Sequence, residues 1–451
     1  MGPLTTDLPT TLTDLLSNTL VLRQIAPHIP VASIYALAAT SKELHGIVHH
    51  QASDVFRYLD LSSVQSAAVV PYEPLDSGGI SWRSERMDES LTEDEFYSGP
   101  LRGIFSKLER RQLLRNVYTL VLDGLSVPAD LVREVITEER YNVRILSIRE
   151  CKNLNERKLQ QVLRYAVRPT RPAGTPRLKG LYFFGPREPV PIQESPRKKQ
   201  RFSTPYSGVM ASPGAQIGAE WNQKSVETLN AVLARTEDKW YQSTGRMISK
   251  SPSLEWAETL QACEGIISFD AVLCRGPRHD STRSFASASL TTGGANPASF
   301  LKPAIATIAL GFGCETCHTC TEGPAVFGQS PFSHLPLLSP LPRHSCSVRA
   351  AQMPHTIDGS SAPPLFARCE ECLKSRWCQR CNKWWDEDCY AGSALAQRTE
   401  LQQTEYTESV GSNGITSLVP QQIIKVHIDL CVEHCLVGEM MAGAGSNGMW
   451  G

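Results

Sequence analysis

The chain has almost no net charge, with 45 Lys+Arg against 46 Asp+Glu over 451 residues. A globally basic surface for nucleic acid or anionic membrane is therefore missing, and neither partner is expected. No uninterrupted apolar run approaches the length of about 18 residues that a membrane span needs. The stretch Ala304–Phe312 is far too short. The opening residues, MGPLTTDLPTTLTDLL, lack the basic start and apolar core of a secretory signal. The cysteines are thus expected to be reduced or metal-bound rather than disulfide-paired, in the cytoplasm or the nucleus. The chain also lacks a P-loop, a dinucleotide-binding glycine pattern, a G-x-S-x-G elbow, an HExxH helix and a deaminase-type H-x-E with P-C-x-x-C. No catalytic residues and no organic cofactor are expected.

Cysteine is what the chain does have. Nine of its fourteen cysteines lie between Cys314 and Cys389. Cys314, Cys317 and Cys320 form two overlapping Cys-x2-Cys pairs, and Cys369/Cys372 and Cys378/Cys381 form two more. Cys389 follows, and CVEHC later adds Cys431, His434 and Cys435. Two thiolates spaced this way can turn onto one zinc ion at about 2.3 Å, and a closed structural site needs only four ligands. These residues supply two zinc sites with donors enough for a third. One upstream pair is expected to join one of the two downstream pairs. The other downstream pair would then join Cys389, Cys431, His434 or Cys435. Only five residues separate Cys372 from Cys378, which suggests that the two pairs serve different ions in a cross-braced arrangement. Cys151, Cys263 and Cys274 read instead as buried small side chains. Trp377, Trp384, Trp385 and Tyr390 are expected to pack against the knuckles of a module with little apolar core of its own. A ligand role for neighbouring Asp386 is not favoured.

Upstream, Leu12, Leu15, Leu16, Leu20, Ile25, Ile29, Ile34, Leu37, Leu44 and Ile47 recur at helical steps, with Pro27 and Pro30 cutting the run into short helices. Four strand-like pieces follow: FRYLDLSS at 56–63, YTLVLDG at 118–124, VRILSIREC at 143–151 and LKGLYFFG at 178–185. Helical patterns at Pro128–Thr137 and Asn155–Ala166 separate the last three. Strand, turn and helix repeat at the spacing of leucine-rich units, which bury their apolar faces only by stacking. Asp76–Ser98 reads as a polar insertion. PRKKQR at 196–201 is a local basic run that fits a nuclear-import signal, a local nucleic-acid contact or a solvated charged stretch. Helical periodicity returns at Ala219–Leu233 and Leu254–Leu273.

Residues 20–48, LVLRQIAPHIPVASIYALAATSKELHGIV, resemble an F-box, although its usual Leu-Pro-x-Glu opening is absent. RILSIRECKNLNERKLQQVL at 144–163 resembles the cysteine-containing leucine-rich repeat common in F-box proteins. The combined resemblance covers residues 15–185 and is to fungal F-box/leucine-rich proteins with Cys-rich C-terminal extensions. It implies an α/β chain with an F-box-like helical motif over 12–50 and a short leucine-rich solenoid over 51–185. A basic Ser/Pro linker over 186–218 and a mixed helical, low-complexity stretch over 219–300 come next. A zinc-stabilised irregular module over 301–438 and a disordered tail over 439–451 complete it. By the same resemblance the chain is a substrate receptor of a cullin-based ubiquitin ligase, with an unidentified protein target. Ile25, Ile29, Pro30, Ile34 and Leu37 would bind the adaptor subunit. Two other readings compete: a RING-like ligase acting directly, and a nuclear zinc-binding interaction protein.

Overall fold

The computed structural model describes residues 11–51, 53–64, 93–188, 245–248, 251–279, 301–311, 313–319, 322, 335–337, 340–353, 366–387, 389–390 and 424–438. Expectations for 196–201, 219–233, Cys320 and the tail after 438 fall outside these residues.

The N-terminal helices start where side chains can cap them. In α1 (Leu12–Ser17), Thr11 and Asp14 close a capping box. In α2 (Thr19–Ile25), Asn18 accepts from the Leu20 and Val21 N–H groups. Pro30 precedes α3 (Val31–Thr40), and Ser41 caps α4 (Lys42–Gly46). Leu16, Leu22, Ala26, Ile34, Leu44 and Ile47 turn inward and join the same apolar cluster as Phe56 and Leu59. The helices are therefore fixed to the next layer rather than tethered to it.

That layer is a five-stranded parallel sheet. Strands β1 (Tyr58–Asp60), β2 (Thr119–Val121), β3 (Ile145–Ser147) and β4 (Gly180–Tyr182) pair in chain order, and β6 (Ser268–Phe269) adds to β4. In register, Leu59, Leu120, Leu146, Leu181 and Phe269 form one row, each at most 4 % exposed. Each such side chain contributes roughly 1.5–3 kcal/mol of burial. Helices α6 (Ala129–Thr137), α7 (Glu156–Ala166) and α8 (Leu254–Cys263) supply the apolar partners of that row, through residues such as Leu131, Leu163 and Trp256. The four strands expected from sequence are present at those positions. The stack continues past 185, where the strand pattern was expected to stop, because α8 and β6 add one more unit.

A further helix, α5 (Glu93–Arg110), begins inside the stretch expected to be a polar insertion. Its second half carries Leu101, Phe105 and Leu108 at steps of four and three, and all three are buried. The opposite face of the sheet is covered as well. Val121, Ile145 and Tyr182 pack against Leu337, Leu341 and Ala351, with Tyr58 and Val348 at the margin. The centre of that face is thus occupied by Leu337, Leu341 and Ala351 of the same chain.

Strands β5 (Gly245–Arg246), β7 (Ile308–Leu310) and β8 (Phe366–Arg368) form a separate antiparallel sheet in the order β5-β7-β8. Strands β9 (Val426–His427) and β10 (Leu430–Cys431) form a hairpin whose two loop residues, Ile428 and Asp429, both have positive φ (47° and 60°). That is the geometry a two-residue hairpin loop requires. Among the described residues, no helix is long and apolar enough to cross a membrane.

Candidate metal centres

Two loops of the Cys-rich region have the same backbone construction. The Cys314 N–H donates to Thr319 O at 2.9 Å and the His318 N–H to Cys314 O at 2.8 Å. The Cys378 N–H donates to Lys383 O at 2.8 Å and the Asn382 N–H to Cys378 O at 2.9 Å. In both, the residue after the second cysteine is left-handed, with φ 57° at His318 and 59° at Asn382. The chain folds back on itself and both sulfurs project from one side. Gly313 permits the first loop to close, since a Cβ there would overlap the His318 carbonyl group. His318 is thus a turn residue.

The loops feed two centres. Cys378, Cys381, Cys431 and Cys435 place their sulfurs within 4.8 Å of one another. Cys381 and Cys431 are 3.7 Å apart. This is far beyond a disulfide bond of about 2.05 Å. It matches the edge of about 3.8 Å expected for two thiolates on one tetrahedral ion. Cys314, Cys317, Asp386 and Cys389 form a second group, with Asp386 Oδ2 at 3.4 Å from Cys317 Sγ. Asp386 is fully buried, and its N–H donates to Cys314 Sγ at 3.3 Å. Asp386, not favoured as a ligand from sequence, is brought to the group by the fold, and Asp386-x2-Cys389 is a half-site of the same length as Cys-x2-Cys.

The remaining centre draws on residues from the 219–300 stretch, upstream of the Cys-rich module. Cys274, His279 and Cys372 gather within the same limit. Cys369 Sγ lies 3.1 Å from His279 Nε2, and the Cys369 N–H donates to Cys274 Sγ at 3.2 Å. Cys369 thus stands beside this group of three, in contact with two of its members. Gly276 sits in the intervening turn, where a Cβ would overlap Cys372 Sγ, leaving no room for a side chain. His279 is not among the ligands expected from sequence, and Cys274 was expected as a buried small side chain. The available signal was modest: a lone Cys-x4-His half-site, without a doubled cysteine to advertise it.

In chain order the half-sites alternate. Cys274/His279 and Cys369/Cys372 belong to one centre, Cys314/Cys317 and Asp386/Cys389 to another, and Cys378/Cys381 and Cys431/Cys435 to the last. Each centre is thus interleaved with the next. Cys369/Cys372 and Cys378/Cys381 do serve different groups. Cys314/Cys317, expected to meet a downstream Cys-x2-Cys pair, meets Asp386 and Cys389 instead. Cys431 and Cys435 join Cys378/Cys381, while His434 is exposed and lies outside all three groups. Cys320 lies outside the described residues.

The electrostatics ask for a cation at each centre. Burial and then the sulfurs around it push Cys435 up to about 12, and the same two causes raise Cys389 to about 12. Cys372 is raised further by Cys274 and by burial. At Cys378, burial is outweighed by N–H groups of Cys381, Cys431 and Arg380 and by the Cys381 thiol, which bring it down to about 7. Crowded sulfurs of this kind cannot all ionise unless a positive ion joins them. Arg376, fully buried, braces the first centre: its guanidinium donates to Cys372 O at 2.7 Å and Cys372 Sγ at 3.4 Å, and it pairs with Glu322. Glu387 joins it at 3.2 Å and in turn pairs with Arg278 at 3.1 Å. Trp377, Trp384, Trp385 and Tyr390 are all buried, each at most 6 % exposed, as packing for this module.

The residues expected to face an adaptor are unevenly placed. Pro30 is exposed, and Ile25, Ile29 and Leu37 are half-buried, with Ile29 and Leu37 leaning on the core. Ile34 is 4 % exposed and offers no surface to a partner. Leu12 and Leu20, by contrast, are 60 % and 70 % exposed.

No family model, curated protein or solved structure matches this chain.

Proposed function

We propose that each of the three centres holds a structural zinc ion and that the chain is a non-catalytic substrate receptor of a cullin-based ubiquitin ligase. The donor sets are thiolate-rich, as zinc prefers, with one imidazole and one carboxylate among them. With Cys369 counted beside Cys274, His279 and Cys372, each centre has four protein donors, which leaves no open position for a reacting water. Zinc would supply cross-links here: it ties together segments that bury little apolar surface by themselves.

The receptor reading rests chiefly on one observation. The N-terminal helices and the parallel strand stack share a single apolar core. An adaptor docked on α1–α3, at Leu20, Pro30 and the edges of Ile25, Ile29 and Leu37, would therefore be held at a fixed distance from whatever the stack carries. Rigid positioning of this sort raises the effective concentration of a target near a ubiquitin-carrying enzyme. The stacked strand–turn–helix units support the leucine-rich interpretation, and the short, Ser-capped α4 supports the F-box one. On this reading the chain works in the cytoplasm or nucleus and meets an adaptor subunit and a protein target.

The test is co-purification of the full chain with the adaptor. A 1:1 complex is expected, and Leu20→Asp should weaken it by about tenfold or more. Absence of a complex with the unaltered chain would sink the receptor reading. The interleaving of half-sites favours a second reading, a RING-like module that recruits the ubiquitin-carrying enzyme directly. Ubiquitin transfer by the full chain with no cullin present would select that reading.

A further inference from the structure

A cavity of about 550 Å³ opens where the N-terminal edge of the parallel sheet meets the segment that covers its face. Its walls carry Arg23, Arg57, Arg144, Lys179, Arg349 and His344, together with the hydroxyls of Ser345 and Ser347. No carboxylate is among the described residues that line it. This segregation is a consequence of the fold. Arg57, Arg144 and Lys179 immediately precede β1, β3 and β4, so the parallel register sets them in one row, with Tyr118 taking the same place before β2. The acids of the sheet lie at its other edge, at Asp60, Asp123 and Asp270.

The row is also held in place. The guanidinium of Arg57 lies over the Tyr118 ring at 4.6 Å from its centroid, and that of Arg144 lies at 5.0 Å from the same ring. Stacking fixes the planes of the two cations, and Arg57 Nη2 also donates to Cys346 Sγ at 3.5 Å in the same wall. The Arg57 Nε is buried and has no hydrogen-bond partner, a costly arrangement unless something occupies the cavity. The like charges are felt by their neighbours. Lys179 is lowered by burial and then by Arg171 and Arg144, and His344 by burial and then by His28 and Arg343.

We infer that this cavity is a binding site for a compact phosphate-bearing anion. Five Arg/Lys side chains match the charge of two or three phosphate groups, each carrying roughly −1.5 to −2. The planar forks of the arginines suit phosphate oxygens, and the serine hydroxyls add neutral donors. The volume falls within the range of about 300–1,000 Å³ typical of small-ligand pockets. The same chemistry could be presented by a free polyphosphate or by a phosphorylated segment of a protein. Neither requires the adaptor, so the site stands apart from the receptor reading.

The experiment is calorimetric titration of the full, zinc-loaded chain with tripolyphosphate, inositol hexakisphosphate and a doubly phosphorylated serine peptide. Saturable 1:1 binding of at least one of these is expected, falling as salt is raised. The Arg57→Gln/Arg144→Gln variant should weaken it by about tenfold for each guanidinium removed. Arg157→Gln/Lys158→Gln removes the same charge from the exposed side of α7 and should leave it within about twofold. Arg57→Lys/Arg144→Lys keeps the charge but not the fork, and is the safeguard should the Gln variant lose structure: intermediate binding is expected. A preference for the peptide identifies a phosphorylated protein as the source, and a preference for the free anions identifies a small polyphosphate. No saturable binding by any of the three, or equal weakening by the α7 variant, overturns the inference.

Discussion

Replacing Cys274 by Ser should remove one metal ion from the protein and leave the other two. Cys274 and Cys263 are both buried, at 6 % and 0 % exposed. From burial alone the two substitutions would be equivalent. They differ in their neighbours, because Cys274 Sγ accepts from the Cys369 N–H and stands with His279 and Cys372. A structural zinc site is worth about 10–16 kcal/mol in apparent binding free energy, so one donor in four accounts for roughly 3–4 kcal/mol. That corresponds to a loss in affinity of about 10²–10³-fold at this centre. Metal content after dialysis against buffered zinc should fall from three ions per chain to two. Cys263→Ser should retain three. The thiol of Cys263, pushed up to about 12 by burial and eased slightly by Arg164, has no donor set to join among the described residues. Equal stoichiometry and affinity in Cys274→Ser and the unaltered chain would refute the four-donor centre. A total near zero in the unaltered chain would overturn all three.

Two further outcomes test the scaffold that carries these sites. Asp270 accepts from the N–H groups of Phe183, Phe184 and Gly185 at 3.0, 3.1 and 2.8 Å, so Asp270→Ala orphans three donors and should cost about 3 kcal/mol or more in urea unfolding. Asp270→Asn can still accept from two of them and should cost less; a loss below about 1 kcal/mol for Asp270→Ala would show that water replaces the carboxylate. Tyr141, 2 % exposed, is raised to about 12 by burial, against the pull of Arg140 and with help from Glu134 and its acidic neighbours. Its folded value lies above the unfolded one of 10.0, so its contribution is complete below pH 10 and is lost as pH rises towards 12. Tyr141→Phe should remove up to about 2–3 kcal/mol of that alkaline loss, read as a shallower fall of stability over this interval. An unchanged slope would refute the assignment.

The strand stack was legible because each strand is a short apolar run closed by a small or polar residue. β2, β3 and β4 all lie within the expected pieces, and Asn155 caps α7 where the pattern begins. What was hidden had mixed signals. α5 opens with Glu93, Asp94 and Glu95, so its polar start masks the apolar face carried by Leu101, Phe105 and Leu108. Strand β6 has only two residues, Ser268 and Phe269, too few to show a period of two. The covering of the sheet by Leu337, Leu341 and Ala351 was invisible for a different reason. Isolated apolar residues in a Pro/Ser-rich stretch carry no periodicity, and their burial depends wholly on where the chain returns.

The pairing of half-sites obeys the same rule, and the small antiparallel sheet explains the outcome. A Cys-x2-Cys pair announces that two sulfurs face one ion, but nothing local says which second pair will meet it. β7 and β8 run antiparallel, with Ile308 opposite Arg368 and Leu310 opposite Phe366. Cys369 thus leaves the sheet at the end where β7 begins, and Cys314 leaves it at the other end. Before β7, the chain already has Cys274 in place: its N–H donates to Ala304 O at 2.8 Å, and Leu273 bridges Ile305. Cys369 is therefore delivered to Cys274 and His279, and Cys314 is carried away from both. With those two out of reach, Cys314/Cys317 closes on Asp386/Cys389, and Cys378/Cys381 is left for Cys431/Cys435. One strand direction thus sends Cys369 and Cys314 to different centres. It follows that a change which reverses or melts the β7–β8 pairing would disperse the first centre even with every donor intact, whereas the hairpin-borne pair at Cys431 and Cys435 would still find Cys378 and Cys381.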